Sequence, residues 1–250
     1  MIGICKLCLK EKELIKRSHI FPNFMYRGIP NEKGQIHVVN SDYPYQRKTV
    51  QSGAHERYIL CATCDNEVLG SLERYASNAL YRQPYLKESK DFKHLHLKAD
   101  IGAVECLNVN YHKFKLFLLS LLWRASIADD GLFVNFKLPP DAAEFVRRAI
   151  YEDDVVDETV FPCILLTCDT AKVQTDYVGV DASKQGIVKF YINEFAYTFY
   201  LDPKRIDDEV MFFTIKMDQP MRIMKVSKRT WYQIRFSIAA ALANAARKNR

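Results

Sequence analysis

Two Cys-x-x-Cys pairs, Cys5 with Cys8 and Cys61 with Cys64, constrain the fold of this chain more than any other feature. Together they supply four thiolates, and four thiolates satisfy a tetrahedral zinc ion without leaving an open coordination position. The second pair directly precedes a stretch with helical periodicity, as is usual for zinc knuckles. We therefore predict a structural zinc that joins the N-terminus to the start of a helix.

The same cysteines could also be unliganded buried thiols or a redox-active pair. The chain has seven cysteines, and the other three are scattered: Cys106, Cys163 and Cys168. An odd number of cysteines and the lack of a secretion-like N-terminal stretch favour a reducing compartment, where metal rather than disulfides holds the pairs. The longest apolar stretch is far short of a membrane span. We therefore expect a soluble, cytoplasmic protein without a membrane partner.

A change in composition near Pro84 predicts two domains, 1–84 and 85–250. The first domain is rich in turn formers and poor in long apolar periodicities, so we expect bound zinc to supply much of its folding energy. Its predicted elements are a strand over Ile15–Pro22, a loop or ragged hairpin over Asn31–Gly53, a strand over Glu56–Leu60 and a helix of about four turns from near Asp65.

The second domain is richer in aromatic and branched residues, and its strands are grouped rather than strictly alternating with helices. This grouping predicts an α+β domain with a mostly antiparallel sheet. The predicted helices are Lys115–Ala128, Ala142–Tyr151 and Lys228–Arg247, and the predicted strand regions are Phe161–Cys168, Ile187–Tyr200 and Val210–Lys216.

The order of motifs in the first domain resembles the HNH endonucleases. Cys5-x-x-Cys8 is followed by His19-Ile-Phe-Pro22 and then by Cys61-x-x-Cys64 at the start of a helix. In that family a ββα-metal site is often held by a four-cysteine zinc. The resemblance covers about a third of the chain and implies a zinc-stapled, HNH-like ββα-metal domain over 1–84.

The resemblance also implies roles for individual residues. His19 matches the histidine that acts as general base, and Pro22 matches the proline that follows it. The other positions depart from the family pattern. Ser18 stands where the family commonly has a metal-binding aspartate, and Glu56 or His55 stands near the position of the family's orienting asparagine. Asp65 occupies the position of the family's metal-binding histidine.

The chemistry of these residue types supports the same assignment. Phosphodiester cleavage needs a base to deprotonate water and a hard cation to stabilise the charged transition state. An imidazole such as that of His19 suits the first task. Carboxylates at Asp65 and Glu56 suit Mg²⁺ or Mn²⁺, because hard cations prefer oxygen ligands. The candidate catalytic residues are therefore His19, Glu56 and Asp65.

Each of these residues also has a structural interpretation. Asp65 lies where a helix N-cap is expected, and aspartate is among the best N-caps. His19 could simply pack beside the zinc knuckle. Glu73, further along the same predicted helix, is interpreted as a surface or hydrogen-bonding residue rather than a ligand.

A nucleic-acid partner is expected from the resemblance and from clusters of cationic and aromatic side chains. The formal net charge of +6 is compatible with such a partner but does not require one. The clusters are Lys16 and Arg17, then Tyr43, Tyr45, Arg47 and Lys48, and then Arg222, Lys225, Lys228, Arg229 and Arg235.

The resulting hypothesis is a metal-dependent HNH-like nuclease that cleaves DNA or RNA. The resemblance extends it to microbial defence systems, where such modules are joined to variable partner domains. The domain 85–250 would then recognise substrate, a protein partner or a second copy of the chain. The alternative is a catalytically inactive, zinc-stabilised module that binds nucleic acid or protein.

Overall fold

A computed structural model describes residues 1–29, 32–40, 46–50, 53–98, 100–129, 133, 135–170, 177–182, 184–235 and 240, apart from the side chains of residues 46, 47 and 177. Within these residues the chain is a mixed α+β protein built on a nine-stranded sheet. Most neighbouring strands of that sheet are antiparallel. The predicted α+β class with a mostly antiparallel sheet is confirmed.

Most strands of the large sheet alternate between buried and partly exposed side chains or are buried on both faces, whereas the edge strand Phe92–Lys98 is largely exposed. Two neighbouring pairs, Ile36–Asn40 with Tyr177–Asp181 and Cys163–Cys168 with Met221–Val226, are parallel. Side by side, the strands are β5 (Gln46–Val50), β4 (Ile36–Asn40), β10 (Tyr177–Asp181), β11 (Ile187–Ile192), β12 (Phe195–Tyr200), β9 (Cys163–Cys168), β13 (Met221–Val226), β8 (Ile101–Cys106) and β7 (Phe92–Lys98).

Two small sheets lie near the N-terminus. Strand β1 (Ile2–Ile4) pairs with β2 (Glu11–Glu13), and β3 (Ser18–His19) pairs with β6 (His55–Glu56), both antiparallel. Strands β3 and β6 are shorter than the strands predicted there. The chain leaves β3 because Ile20 and Phe21 turn into the core, where both are fully buried, and because Pro22 has no N–H to continue a ladder.

The helix that follows the second cysteine pair is made of three consecutive stretches, which we call the knuckle helix. These are the π-helical stretch Thr63–Leu69, the α-helix α1 (Gly70–Ala76) and the π-helical stretch Ser77–Tyr81. A π-helical turn takes more residues than an α-helical one and is frequent at functional sites. The helix predicted from near Asp65 is therefore present, with an unusual winding.

The remaining helices are α2 (Tyr111–Ile127), α3 (Pro140–Glu152), α4 (Asp208–Met211) and a helical stretch over 228–235. The Asn110 side chain caps α2 by accepting a hydrogen bond from the Lys113 N–H, and Pro140 opens α3 at a position where its missing N–H costs nothing. The rest of the helix predicted to end at Arg247 lies outside the described residues, apart from the helical residue 240.

Helix α2 is the centre of the core. Fourteen of its residues are buried, and a helix that is apolar on most faces is stable only when it is surrounded by protein. It packs against α3 and α1. Aromatic rings extend this core from the N-terminal segment into the sheet, since Phe21 lies 5.0 Å from Phe190 between ring centroids.

The predicted boundary at residue 84 does not coincide with a break in pairing or packing. Strands β4 and β5 belong to 1–84, yet β4 pairs with β10 in the large sheet. The main apolar cluster likewise includes residues from both sides of the boundary. The division into two folding units therefore stays a prediction.

The strand predicted over Val210–Lys216 is wrong. Residues Asp208–Met211 form the short helix α4 instead, and Thr214 makes only an isolated bridge to Ile164. Asp208 and Glu209 lie in the first turn of α4, where negative charge stabilises a helix N-terminus. This acidic start outweighs the β propensity of the residues that follow.

No helix in the described part of the chain has both the length and the apolar character that a membrane crossing requires.

Candidate metal centre and adjoining cavity

The four paired cysteines converge on one point. The Sγ atoms of Cys5, Cys8, Cys61 and Cys64 all lie within 4.8 Å of one another. Zinc–sulfur bonds of about 2.3 Å in a tetrahedron place neighbouring sulfurs about 3.8 Å apart, so a small contraction of this tetrad fits zinc. Four sulfurs complete the coordination of such an ion and leave no open position, which is the arrangement of a structural site.

Backbone hydrogen bonds hold the two pairs in register. Leu9 adopts a left-handed conformation with φ of 58°, and its N–H donates to the Cys5 carbonyl at 2.9 Å. The Lys6 N–H donates to the Ile59 carbonyl at 2.8 Å, which ties the first cysteine turn to the segment before the second pair. The 52 residues between Cys8 and Cys61 are thereby closed into a loop around β3 to β6.

The tetrad favours a bound cation electrostatically. Burial raises the pKa of the Cys5 thiol, but hydrogen bonds from the N–H groups of Cys8, Cys61 and Leu7 outweigh it and bring the pKa to about 7. The Cys61 N–H lies 3.3 Å from Cys5 Sγ. Burial, together with the neighbouring Cys61 and Cys5 thiols, raises the pKa of Cys64. The Cys5 thiolate is thus stabilised, whereas a second thiolate close to it would be repelled. A divalent cation bound between the sulfurs would offset this repulsion.

A cavity of about 450 Å³ adjoins the metal centre. His19 enters it from β3, and Asp65 enters it from the first turn of the knuckle helix, one residue after Cys64. Glu73 enters from α1 and Arg124 from α2. The cavity is therefore lined by one imidazole, two carboxylates and a buried guanidinium, all held by elements that the cysteines and the core fix in place.

Arg124 connects three of these elements, although its side chain is only 1% exposed. Its Nη1 donates to Glu73 Oε1 at 2.8 Å and to the His19 carbonyl at 3.1 Å, and its Nε donates to the Ser120 carbonyl at 3.3 Å. A buried cation requires such partners, because an uncompensated charge in the interior is very unfavourable. Arg124 thereby fixes the distance between β3 and the knuckle helix.

The Asp65 carboxyl is half-buried within this group. Burial and the nearby Glu73 raise the pKa of Asp65, whereas Arg124, the Ser18 hydroxyl and His19 lower it, and the net shift is upward. Ser18 Oγ itself is buried and has no partner at ordinary hydrogen-bond geometry. The Asp65 carboxyl therefore lies near a buried hydroxyl as well as near the charges of Glu73 and Arg124.

Asp65 does not cap the helix. The N-cap position is Ala62, with no side-chain cap hydrogen bond, and Asp65 lies inside the first turn. The capping interpretation is thus wrong for this residue, and its side chain is directed to the cavity instead.

The structure brings together His19 and Asp65 but not Glu56. Glu56 lies on β6 opposite Ser18 and does not line the cavity, so its catalytic role stays a prediction. Over the described residues, the cysteine tetrad is the one group of three or more His, Cys, Asp or Glu whose ligand atoms lie that close together.

Sequence reasoning missed Glu73 and Arg124 as lining residues. Glu73 follows Asp65 by eight residues, about two turns of a helix, and this spacing could have placed both carboxylates on one face. Arg124 gave no comparable signal, because it lies 51 residues after Glu73 within an apolar helix.

Comparisons of the chain with protein-family models, with curated proteins and with solved structures give no match. The geometry and chemistry of the tetrad and the cavity are therefore the basis on which a function can be inferred.

Proposed function

We propose that the protein is a metal-dependent, HNH-like nuclease that hydrolyses phosphodiester bonds of DNA or RNA. The observation that carries this proposal is the shared cavity of His19 and Asp65 directly beside the cysteine tetrad. The antiparallel pair of β3 with β6, which precedes the knuckle helix in the chain, supports the proposal.

His19 is assigned as the general base. An imidazole can accept a proton from water as a general base. The Arg124 contact with the His19 carbonyl holds the backbone of β3 at the cavity. His19 is therefore positioned by its main chain among the residues that line the cavity.

Asp65 and Glu73 are the carboxylates that would hold Mg²⁺ or Mn²⁺. Mg²⁺ is commonly bound through one or two protein carboxylates together with substrate phosphate and water, so two ligands are sufficient. When bound, the cation would stabilise the negative charge that develops on the phosphate and on the leaving oxygen. Arg124 holds Glu73 in the direction of the cavity.

Zinc at the cysteine tetrad has a structural part in this proposal. It fixes Cys64, and Asp65 is the next residue in the chain. The metal centre therefore positions the cavity without taking part in the chemistry.

The proposal is tested by cleavage of labelled DNA and RNA with added Mg²⁺ or Mn²⁺, using Asp65→Asn and a matched control, Glu67→Gln. Glu67 is an exposed carboxylate on the same helix and does not line the cavity. We expect Asp65→Asn to lower the cleavage rate by about 100-fold or more, as loss of a catalytic metal ligand would, while Glu67→Gln keeps wild-type activity and both keep their zinc.

Wild-type cleavage by Asp65→Asn would contradict the metal assignment. If the wild type binds nucleic acid in a salt-dependent manner but cleaves it with neither cation, the catalytically inactive binding module is the better description.

A further inference from the structure

A row of polar residues runs along the knuckle helix beside the cavity. Its members follow one another at intervals of four: Asn66, Gly70, Arg74, Asn78 and Arg82. All five line the same cavity as His19 and Asp65. Apart from Gly70, which is half-buried, they are exposed to solvent. We call these five residues the polar row.

The winding of the knuckle helix explains why the row stays on one face. In an α-helix with 3.6 residues per turn, residues four apart drift progressively around the axis. In a π-helix, which has more residues per turn, the drift has the opposite sense. The π-helical stretches Thr63–Leu69 and Ser77–Tyr81 flank the α-helical stretch Gly70–Ala76, so the two drifts offset one another.

The row carries two guanidiniums, of Arg74 and Arg82. Within the described part of the chain, neither forms an ion pair with an acidic side chain. Among the same residues, the Arg74 guanidinium donates a long hydrogen bond from Nη1 to the Asn66 carbonyl at 3.4 Å. A guanidinium that is exposed, unpaired and flanked by amides is well suited to bind a phosphate oxygen.

Gly70 keeps the row open between Asn66 and Arg74. A Cβ at this position would lie 3.3 Å from Arg74 Nη1 and 3.5 Å from the Asp65 carbonyl. Any larger side chain would therefore push the Arg74 guanidinium away from the start of the row. The absence of a side chain at Gly70 lets the Arg74 guanidinium lie close to the helix backbone.

We infer that the polar row binds the sugar–phosphate backbone of a single-stranded polynucleotide and leads it to His19 and Asp65. The inference rests on the proposed nuclease function and specifies its substrate. Eight residues separate Arg74 from Arg82 along the helix, which is more than one helical turn, so the two guanidiniums contact separate phosphates of one strand.

The dimensions of the cavity favour a single strand over a duplex. A volume of about 450 Å³ lies within the range that encloses one small ligand. His19 and Asp65 are half-buried, so a phosphate must enter the cavity to reach them. Phe24, a half-buried ring that lines the same cavity, offers an aromatic surface for one unstacked base.

A carboxylate near one end of the polar row limits how far a bound phosphate backbone can extend. Beyond Asn78 and Gln83, a second and smaller cavity of about 220 Å³ includes the carboxylate of Asp91. A carboxylate repels phosphate, so the bound backbone extends from Asn66 to Arg82 and not further in that direction.

The test measures binding of short labelled single-stranded DNA, single-stranded RNA and duplex DNA as a function of salt, in buffer without added Mg²⁺ or Mn²⁺. For a single strand, each phosphate contact contributes about 0.7 to the slope of log affinity against log salt. We expect Arg74→Gln and Arg82→Gln each to reduce the slope by about 0.7, and the double variant by about 1.4. Arg148→Gln, at an exposed arginine on α3, is the matched control and should leave the slope unchanged.

Tighter binding of a single strand than of the duplex, with the expected slopes, supports the inference, and comparison of the DNA and RNA strands identifies the sugar. Unchanged slopes in both variants, or duplex binding as tight as single-strand binding, overturn it. This test can fail independently of the proposed nuclease function. If the arginine variants reduce the salt slope as expected but the wild type shows no metal-dependent cleavage, the polar row binds a single strand and the nuclease proposal is rejected. If the wild type cleaves but the slopes are unchanged in the variants, the nuclease proposal holds and the inference about the polar row is rejected.

Discussion

Arg124 Nη1 donates a hydrogen bond of 2.8 Å to Glu73 Oε1, and the two side chains are 1% and 25% exposed. This ion pair joins the central core helix α2 to the knuckle helix. It also ties both to β3, because the same Nη1 donates to the His19 carbonyl. The pair is thus the main connection between the apolar core and the residues of the cavity.

Removal of either partner of this ion pair should therefore destabilise the protein. Arg124→Met leaves a half-buried carboxylate and the His19 carbonyl without their donor, and we expect the free energy of unfolding to fall by about 2–4 kcal/mol. Glu73→Gln keeps a hydrogen-bond acceptor at the same place but leaves the guanidinium, which is 1% exposed, without its counter-charge, and it should also cost about 2–4 kcal/mol. Urea denaturation of both variants checks these values, and a loss below about 1 kcal/mol in either, as for an exposed ion pair, would contradict the prediction.

The metal centre predicts one zinc per chain. Cys61→Ser removes a ligand, so zinc measured by elemental analysis should fall to near zero and the melting temperature should drop, because zinc binding contributes to folding. Cys168→Ser, at a buried cysteine on β9, is the matched control and should retain the metal. A wild-type chain that lacks zinc after purification in zinc-containing medium would contradict the prediction.

Buried Cys106 predicts a loss of stability at alkaline pH. Burial raises the pKa of this thiol from 9.0 to about 12. Between these pH values the folded chain holds a proton that the unfolded chain has lost, so stability is fully present below pH 9 and falls as pH rises towards 12. Cys106→Ala should show a shallower fall, by up to about 1.4 kcal/mol per pH unit. If the free energies of unfolding of the wild type and of Cys106→Ala run parallel from about pH 8 to 11, Cys106 does not contribute to the loss of stability.

Buried Lys115 should give the free energy of unfolding the opposite dependence on pH. Burial lowers the pKa of this lysine, whose side chain donates to the Val160 carbonyl, from 10.5 to about 8. Between these values the unfolded chain binds more protons, so stability relative to Lys115→Met should increase with pH by up to about 1.4 kcal/mol per unit. Below about pH 8 the difference should be constant. The exposed Lys113 lies on the same helix, and Lys113→Met is the matched control variant. A difference between Lys115→Met and the wild type that does not change with pH would contradict the prediction.

The elements that could be predicted from sequence are those specified by local patterns. The two cysteine pairs predicted a four-ligand centre, and their sulfurs do converge. The helix after Cys64 and the core helix around Leu116–Trp123 follow directly from apolar spacing. Within the polar segment Asn31–Gly53 the described residues form a hairpin of β4 and β5. Tyr43, Tyr45 and the basic tail after Arg247 lie outside the described residues, and so does the Arg47 side chain.

The features that could not be predicted depend on contacts between distant residues. The joining of β4 to β10 brings together His37 and Tyr177, 140 positions apart, and no local pattern specifies such a pairing. The ion pair of Glu73 with Arg124 is of the same kind. Glu73 was interpreted from sequence as a surface or hydrogen-bonding residue; the structure shows the hydrogen bond with Arg124 and places Glu73 at the cavity. Asp65 was ambiguous in sequence because a helix cap and a metal ligand use the same side chain.

The most direct test of the account is the rate at which the zinc-loaded protein cleaves a labelled single strand with Mn²⁺, compared between His19→Ala and His55→Ala. The two histidines are opposite one another in the pairing of β3 with β6, but only His19 lines the cavity. Loss of a general base should lower the rate by about 10²–10⁴-fold in His19→Ala, and His55→Ala should remain close to wild type. Equal rates for His19→Ala and the wild type, with zinc retained in both, would contradict the account.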